Sequence, residues 1–125
     1  PANAFVASFI GSPSMNLVSG SVTGGEFQGE NICVSGIQAT DGPLQLGFRA
    51  EDARIVQKGG EIHAAVYTME LLGDATMITV RVNGELVSVK AAKDYRAKIG
   101  EMVHISVPKE ICHLFDPITG ARIGG

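Results

Sequence analysis

Apolar and polar residues alternate most clearly between residues 76 and 91, where every second side chain is apolar over two short runs. The dipeptide Asn83-Gly84 separates the runs and is favoured in a two-residue type I′ hairpin turn. With that turn, the predicted cross-strand pairs are Val80 with Val87, Ile78 with Val89 and Met77 with Lys90. The apolar faces of both strands then coincide, and a slip of one residue would separate them. The pattern therefore predicts a β-hairpin over residues 76–91.

The same period of two marks residues 102–107, where Val103, Ile105 and Val107 are predicted to face inward and Pro108 to end the strand. Turn-forming Gly, Pro and Asp residues separate further apolar runs. These runs predict strands at 16–23, 26–36, 44–48, 53–57 and 111–115. The last is followed by a predicted turn over "DPITG" at 116–120.

The segment "EIHAAVYTMELLG" at 61–73 is apolar at both odd and even positions. Its pattern fits a strand and fits equally well a helix that ends at Gly73. Because the other predicted elements are short strands with few helices between them, the chain is predicted to be all-β, as a small antiparallel barrel or sandwich.

The N-terminal segment differs, because Phe5, Val6, Phe9 and Ile10 share one helical stripe. Asn3 is suited to cap a helix there, Gly11 to end it, and Pro13 to block its continuation. A helix of about ten residues is marginal alone. This short N-terminal helix is therefore predicted to pack against this domain, a second copy or another domain.

Composition narrows the possible functions. The 125 residues suffice for one domain, and the net charge of -3 gives no general attraction to nucleic acid or anionic lipid. No apolar run approaches the roughly 20 residues that span a bilayer, and no signal peptide is visible. Cys33 and Cys112 are predicted to be buried, reduced thiols, with a disulfide as the less favoured alternative.

The chain lacks the common catalytic motifs: no Walker A sequence, no "GxSxG", no "HExxH" and no "CxxC" occurs. Cys112 and His113 are neighbours on a predicted strand and would point to opposite faces, so no metal site is predicted. Glu51 and Asp52 have no nearby nucleophile motif, so solvated charge or helix capping is the favoured interpretation. No catalytic residue is predicted in this chain.

Two further groups of residues are weighed as binding sites. Basic residues surround Tyr95 within residues 90–98 and could meet a phosphate or a base, although an exposed connection containing Asp94 is the favoured interpretation. The basic residues are Lys90, Lys93, Arg96 and Lys98. His63 and His104 are each interpreted as single rim or surface histidines.

Three stretches, in order along the chain, resemble a known family: "FVASFIGSPSMN" at 5–16, "LGFRAEDARI" at 46–55 and "CHLFDPITGARIG" at 112–124. Together they are similar to the C-terminal regulatory region, a TOBE or MOP-like domain, of the ATP-binding subunits of bacterial sugar ABC importers. The resemblance points to the maltose, multiple-sugar and glycerol-phosphate group. It implies a barrel related to the oligonucleotide/oligosaccharide-binding (OB) fold.

The resemblance also implies a domain organisation. Residues 1–16 would be the tail of a nucleotide-binding domain and a crossover linker, and residues 17–125 the regulatory domain, which agrees with the absence of an initiating Met. The linker residues would be Gly11, Ser12, Pro13 and Asn16. The ambiguous segment 61–72 would be a long strand, bulged near Ala64-Ala65.

The resemblance implies functional residues as well. In this family the domain contacts its copy in the other subunit, steadies the ATPase dimer and can receive a regulatory protein. The residues that match the contact motifs here are Gly47, Arg49, Glu51, His113, Phe115 and Asp116. Ala50 stands where the family usually has proline, and Phe115 is equally compatible with packing inside the domain.

The resemblance extends to cofactors, partners and location. The parent protein would use ATP and Mg²⁺, bind transmembrane permease subunits through the nucleotide-binding domain, and lie on the cytoplasmic face of the plasma membrane. No cofactor and no nucleic acid is expected for this fragment.

Two other functions are considered. One is a module that binds a small oxyanion or sugar, for which "SGSVTGG" at 19–25 is the candidate segment. The other is a binder of single-stranded nucleic acid, which the lack of Trp and the negative net charge disfavour.

Overall fold

A computed structural model of the protein describes residues 15–123. In that range the chain forms antiparallel strands and one short 3₁₀ turn at Lys109–Ile111. The strands are β1 (Met15–Thr23), β2 (Glu26–Gly29), β3 (Ile32–Val34), β4 (Gly42–Arg49), β5 (Arg54–Val56), β6 (Ile62–Leu71), β7 (Thr76–Val82), β8 (Glu85–Ala91), β9 (Met102–Ser106), β10 (His113–Phe115) and β11 (Arg122–Ile123). The all-β prediction is confirmed, while the predicted N-terminal helix lies outside the described residues.

The hairpin predicted over residues 76–91 is confirmed as β7 and β8. Val80 pairs with Val87 and Ile78 with Val89, as the alternation required. Asn83 and Gly84 have φ angles of 49° and 84°, which are the positive values that a type I′ turn needs at both central positions. The local turn chemistry and the apolar pattern therefore specify the same register.

The strand predicted over residues 26–36 is wrong, because this segment is a second hairpin made of β2 and β3. Asn31, in the turn, adopts a positive φ of 58°, which asparagine tolerates better than most residues. Its side-chain amide also donates to the carbonyl oxygen of Arg81 at 2.9 Å. This contact ties the tip of the hairpin to β7, fifty residues away in the chain.

The long strand implied for residues 61–72 is present as β6, but its bulge lies between Val66 and Thr68 rather than at Ala64-Ala65. Up to Ala65 the strand pairs regularly with β9, and from Val66 onward it pairs with β7. At the bulge Tyr67 and Thr68 both face outward, which shifts the inward positions from even to odd numbers. That shift explains why the sequence is apolar at both parities.

The segment predicted as a strand at 111–115 is only partly a strand. Residues 109–111 form the 3₁₀ turn, in which the amide of Ile111 donates to the carbonyl oxygen of Pro108 at 3.0 Å. The strand β10 begins at His113. The turn reverses the chain after β9 so that β10 can pair with β4.

The strands form one sheet with the order β11-β10-β4-β1-β2-β3-β6-β7-β8, and β9 joins β5 to β6. Over the described range no backbone pairing joins the ends of this sheet into a closed ring. The predicted barrel is therefore not closed by backbone hydrogen bonds. The sheet nevertheless curves until β8 lies beside β1, where side chains join the two strands. The fold is consistent with an OB-like barrel. We call the junction of β1 and β8 the seam.

Asn16 forms the centre of the seam. Its side-chain amide donates to the carbonyl oxygen of Ser88 at 2.8 Å, and its amide oxygen accepts from the Ser88 N–H at 2.9 Å. Further along, Ser19 N–H donates to a carboxylate oxygen of Glu85 at 2.7 Å, and the Asn83 amide donates to the Ser19 carbonyl. Hydrogen bonds from side chains thus take the place of backbone pairing between β1 and β8.

The core fills the space enclosed by the curved sheet. Its largest fully buried side chains are Phe27, Phe48, Leu46, Ile62, Ile78 and Ile105. The inward residues predicted for β9, Val103 and Ile105, are buried there, as is Val107 just after the strand. No helix among residues 15–123 has the length and apolar character needed to cross a membrane.

Candidate functional site

The residues matched to the contact motifs converge mainly on the side of the sheet away from the core. Strand β4 lies between β1 and β10, and Gly47 is paired with Leu17 on one side and His113 on the other. Since Leu44, Leu46 and Phe48 point into the core, the alternate residues of β4 point outward. We define the outer face by these outward residues and their neighbours: Met15, Leu17, Gly47, Arg49, His113, Phe115 and Arg122.

Gly47 shapes the middle of the outer face. A Cβ atom at this position would lie 2.9 Å from Met15 Sδ, 3.1 Å from Leu17 Cδ2 and 3.1 Å from Phe115 Cε2. The bare backbone of Gly47 therefore lets these side chains pack closely over the sheet. Phe115 is 3% exposed, so within this chain it is a packed side chain, as the alternative interpretation of its motif allowed.

His113 is held by Arg122 on the outer face. Arg122 donates from its guanidinium to Nδ1 of His113 at 2.5 Å, and the same guanidinium lies 6.0 Å from the centre of the Phe115 ring. Because Nδ1 accepts this hydrogen bond, the proton of the neutral ring is on Nε2. Burial lowers the pKa of His113, and the charges of Arg122 and Arg49 lower it further, against the opposing effect of Asp52. The ring is therefore neutral at pH 7.

The lowered pKa of His113 predicts a pH-dependent stability. The unfolded chain takes up a proton at this residue near pH 6.5, where the folded chain resists it. Stability should therefore fall as the pH drops below about 6.5, and the loss should level off below the folded-state pKa. Urea unfolding midpoints between pH 7.5 and 5 should decline less in His113→Gln than in the unsubstituted chain. If the unfolding midpoint declined equally with pH in the two proteins, His113 would not be the cause of the pH dependence.

The other matched residues lie at the ends of the outer face. Arg49 is the exposed last residue of β4, and Glu51 is exposed in the following turn. The Asp116 carboxylate accepts from the backbone amides of Thr119 and Ile118 at 2.9 and 2.8 Å, and these hydrogen bonds lower its pKa. Asp116 thus shapes the predicted turn that leads to β11.

Ala50, which replaces the family's usual proline, is buried in the turn after β4. Two hydrogen bonds fix the turn. The Asp52 amide donates to the Arg49 carbonyl at 3.0 Å, and the Lys90 amide donates to the Ala50 carbonyl at 3.0 Å. The second bond anchors the turn to β8 and holds Arg49 and Glu51 in place without a proline ring.

Of the predicted linker residues, Gly11, Ser12 and Pro13 lie outside the described range. Asn16 lies inside β1, where it is 8% exposed and bridges to β8. The boundary between a linker and a regulatory domain stays a prediction, but the sheet already includes Met15 and Asn16.

The two cysteines differ from each other. Cys33 is exposed, so the prediction that it is buried is wrong. It lies on β3, where the neighbouring positions 32 and 34 take the inward places. Cys112 is partly buried, and burial, assisted by Glu61 and Glu110, raises its pKa to about 12. Both are free thiols.

His63 and His104, interpreted singly from the sequence, are direct partners across β6 and β9. Their ring centres are 4.9 Å apart in an edge-to-face arrangement. The sequence held no local signal for this contact, because it depends on the register of strands forty residues apart. Among residues 15–123 no group of three or more His, Cys, Asp or Glu side chains is arranged to hold a metal ion.

The two alternative binding segments are engaged in the fold. In "SGSVTGG" the Gly24 amide already donates to a carboxylate oxygen of Asp41 at 3.0 Å. In the basic segment, the Arg96 guanidinium folds back onto Thr76 Oγ1 and the carbonyls of Lys93 and Tyr95. The Gly24 amide and the Arg96 Nη1 group are therefore already used within the fold.

Comparison with known proteins identifies the fold family. Residues 46–115, which include the second half of β4 and all of β10, match the family described as the TOBE domain. The chain is 36% identical over 126 residues to the sn-glycerol-3-phosphate import ATP-binding protein UgpC of Jannaschia sp., covering 98% of this chain and 36% of that protein. It is 33% identical over 133 residues to UgpC 2 of Agrobacterium fabrum, covering 98% of this chain and 35% of the relative.

A third relative is the uncharacterized ABC transporter ATP-binding protein YcjV of Escherichia coli O157:H7. It is 33% identical over 136 residues, covering 98% of this chain and 37% of YcjV. The chain thus spans little more than a third of the length of each of these three relatives. The resemblance read from the three sequence stretches is confirmed, and the chain belongs to the TOBE domain family.

Proposed function

We propose that this chain is the regulatory domain of the ATP-binding subunit of an ABC importer for carbohydrates or glycerol phosphate, and that its outer face contacts the second subunit. The observation that carries the proposal is the meeting of Gly47 and His113 as direct partners on adjacent strands. These two residues come from separate motifs, and the fold places them on one surface.

The outer face contains both buried residues, which shape it, and exposed residues, which a partner can reach. Gly47 and Phe115 are buried and give the face a fixed shape. Arg49 and Glu51 are exposed, and His113 is partly exposed, so these side chains are accessible to a partner. Asp116 orders the adjoining turn. The domain steadies the pair of ATPase subunits through this face and performs no hydrolysis.

The parent subunit supplies the chemistry in this proposal. It binds ATP and Mg²⁺ in a nucleotide-binding domain, docks on transmembrane permease subunits and lies at the cytoplasmic surface of the membrane. The names of the relatives support this assignment, since they are ATP-binding proteins of import systems or ABC transporters. A regulatory protein is a further partner of the domain.

A charge reversal at Arg49 tests the contact. In Arg49→Glu the exposed cation at the end of β4 becomes an anion, which we expect to weaken self-association of the full-length subunit by about tenfold or more. The effect is measured by sedimentation velocity over a range of protein concentrations. The 125-residue chain is measured alongside, although tethering by the nucleotide-binding domains strengthens association in the full subunit.

Arg54→Glu is the matched control, because Arg54 is also an exposed arginine but lies on β5, outside the outer face. It should leave the association constant unchanged. Equal weakening by both reversals, or a full-length subunit that stays monomeric at every concentration, would overturn the assignment of the contact.

A further inference from the structure

A cavity of about 310 Å³ lies beside the outer face, where the 3₁₀ turn and strands β10 and β11 meet the segment 36–38. Its lining residues include Lys109, His113 and Arg122, whose side chains carry nitrogen donors, and the apolar residues Ile37, Leu114 and Ile123. Its size falls within the range of small-molecule sites. No sequence pattern indicates this cavity, because its donors come from separate elements.

Lys109 is placed by the conformation of Gly36. Gly36 has a φ of 76°, and a Cβ atom there would lie 2.7 Å from Lys109 Cδ and 3.1 Å from Lys109 Nζ. The lysine side chain therefore lies directly over the bare glycine backbone. Within residues 15–123 the Lys109 ammonium makes no hydrogen bond or ion pair. It is a positioned cation whose donors remain available.

Arg122 and His113 supply the other donors. Arg122 is held by the Phe115 ring and by Nδ1 of His113, a bond that uses one of its five N–H groups. His113 consequently carries its proton on Nε2, which makes that nitrogen a donor. The residues that line the cavity thus carry an ammonium, a guanidinium and an imidazole N–H. Glu110 is the carboxylate among the lining residues.

We propose that this cavity binds a phosphoryl group, as inorganic phosphate or as a phosphate monoester. A phosphoryl group presents at least three acceptor oxygens and up to two negative charges. It therefore matches two cations and a neutral donor better than a carboxylate ligand would. The apolar wall of Ile37, Leu114 and Ile123 accommodates the carbon portion of an ester. The site goes beyond the proposed subunit contact and does not require a second copy of the chain.

The test is a titration of the ¹⁵N-labelled 125-residue chain, followed by amide chemical shifts at constant ionic strength. The probes are inorganic phosphate, phenyl phosphate, acetate and sodium chloride. Saturable shifts with phosphate or phenyl phosphate, centred on Gly36, Lys109, His113 and Arg122, are the expected result. If phenyl phosphate binds more tightly than inorganic phosphate, the cavity is a site for a monoester. If the two bind equally, the cavity recognises the phosphoryl group alone.

Two substitutions locate the site. Lys109→Gln and Arg122→Gln should each weaken phosphate binding by about tenfold or more, because each removes a charged donor. Lys58→Gln is the control, since Lys58 is exposed and lies in the loop after β5, away from the cavity. Lys109 is exposed and its side chain makes no hydrogen bond within the described range, so its variant keeps the fold even if Arg122→Gln does not.

The proposal fails if phosphate and phenyl phosphate give no saturable shifts, if acetate binds as tightly, or if Lys58→Gln weakens binding as much as Lys109→Gln. The titration is run at a chain concentration at which sedimentation velocity shows a monomer, so none of these results depends on subunit association. A failed subunit contact and a failed phosphoryl site are therefore separate outcomes.

Discussion

Replacing Phe115 with alanine is expected to lower the free energy of unfolding by about 3–5 kcal/mol. The side chain is 3% exposed and packs over the backbone of Gly47. Its removal leaves a cavity between β4 and β10 and takes away the ring beneath the Arg122 guanidinium. Urea unfolding of the 125-residue chain at pH 7.5, followed by circular dichroism, measures the loss.

Ile118→Ala is the matched control for this prediction. Ile118 is an apolar side chain only three residues away, but it is 93% exposed in the turn before β11. Its truncation should change the unfolding free energy by less than about 0.5 kcal/mol. If Phe115→Ala were as mild as Ile118→Ala, Phe115 would have to act mainly as a contact to another molecule.

Asn16→Ala is expected to cost about 2–4 kcal/mol of stability. The substitution removes both hydrogen bonds to the Ser88 backbone and leaves that N–H and C=O without partners at the seam. An unsatisfied buried polar group costs about 1–3 kcal/mol, and because Ser88 is only partly buried its two groups fall in the lower part of the summed range of about 2–6 kcal/mol. Urea unfolding again provides the measurement, and amide exchange at Ser88 should accelerate.

Gln57→Ala controls for loss of a side-chain amide, because Gln57 is exposed and its side chain makes no hydrogen bond within the described range. It should be close to neutral. A small effect at Asn16 with unchanged exchange at Ser88 would show that the side-chain bridge does not hold the seam together.

Elements governed by local chemistry were predictable from the sequence. Asn83-Gly84 and the surrounding alternation fixed both the turn and the register of β7 and β8. Segment 61–73 was ambiguous because its bulge changes which parity faces inward, and the change follows from a switch of partner from β9 to β7. A periodicity argument assumes one partner surface along the strand, which β6 does not have.

The candidate site could not be predicted in full from the sequence, because its residues meet only through the pairing of strands that are far apart in the chain. Gly47 and His113 were matched to separate motifs through a family resemblance, and only the pairing of β4 with β10 puts them in contact. Arg122, which fixes the tautomer of His113, belonged to no predicted set of contact residues. The role of Asn16 was likewise hidden, because a polar residue in a predicted linker gives no sign of a partner 72 positions away.

The seam between β1 and β8 has a consequence for how the fold can vary. Elsewhere the separation of neighbouring strands is set by the backbone ladder at about 4.8 Å. Where Asn16 spans the gap, the reach of one amide side chain sets the distance instead. Single substitutions there can therefore change the distance between β1 and β8, and with it the circumference of the sheet, while the pairing of every other strand stays intact.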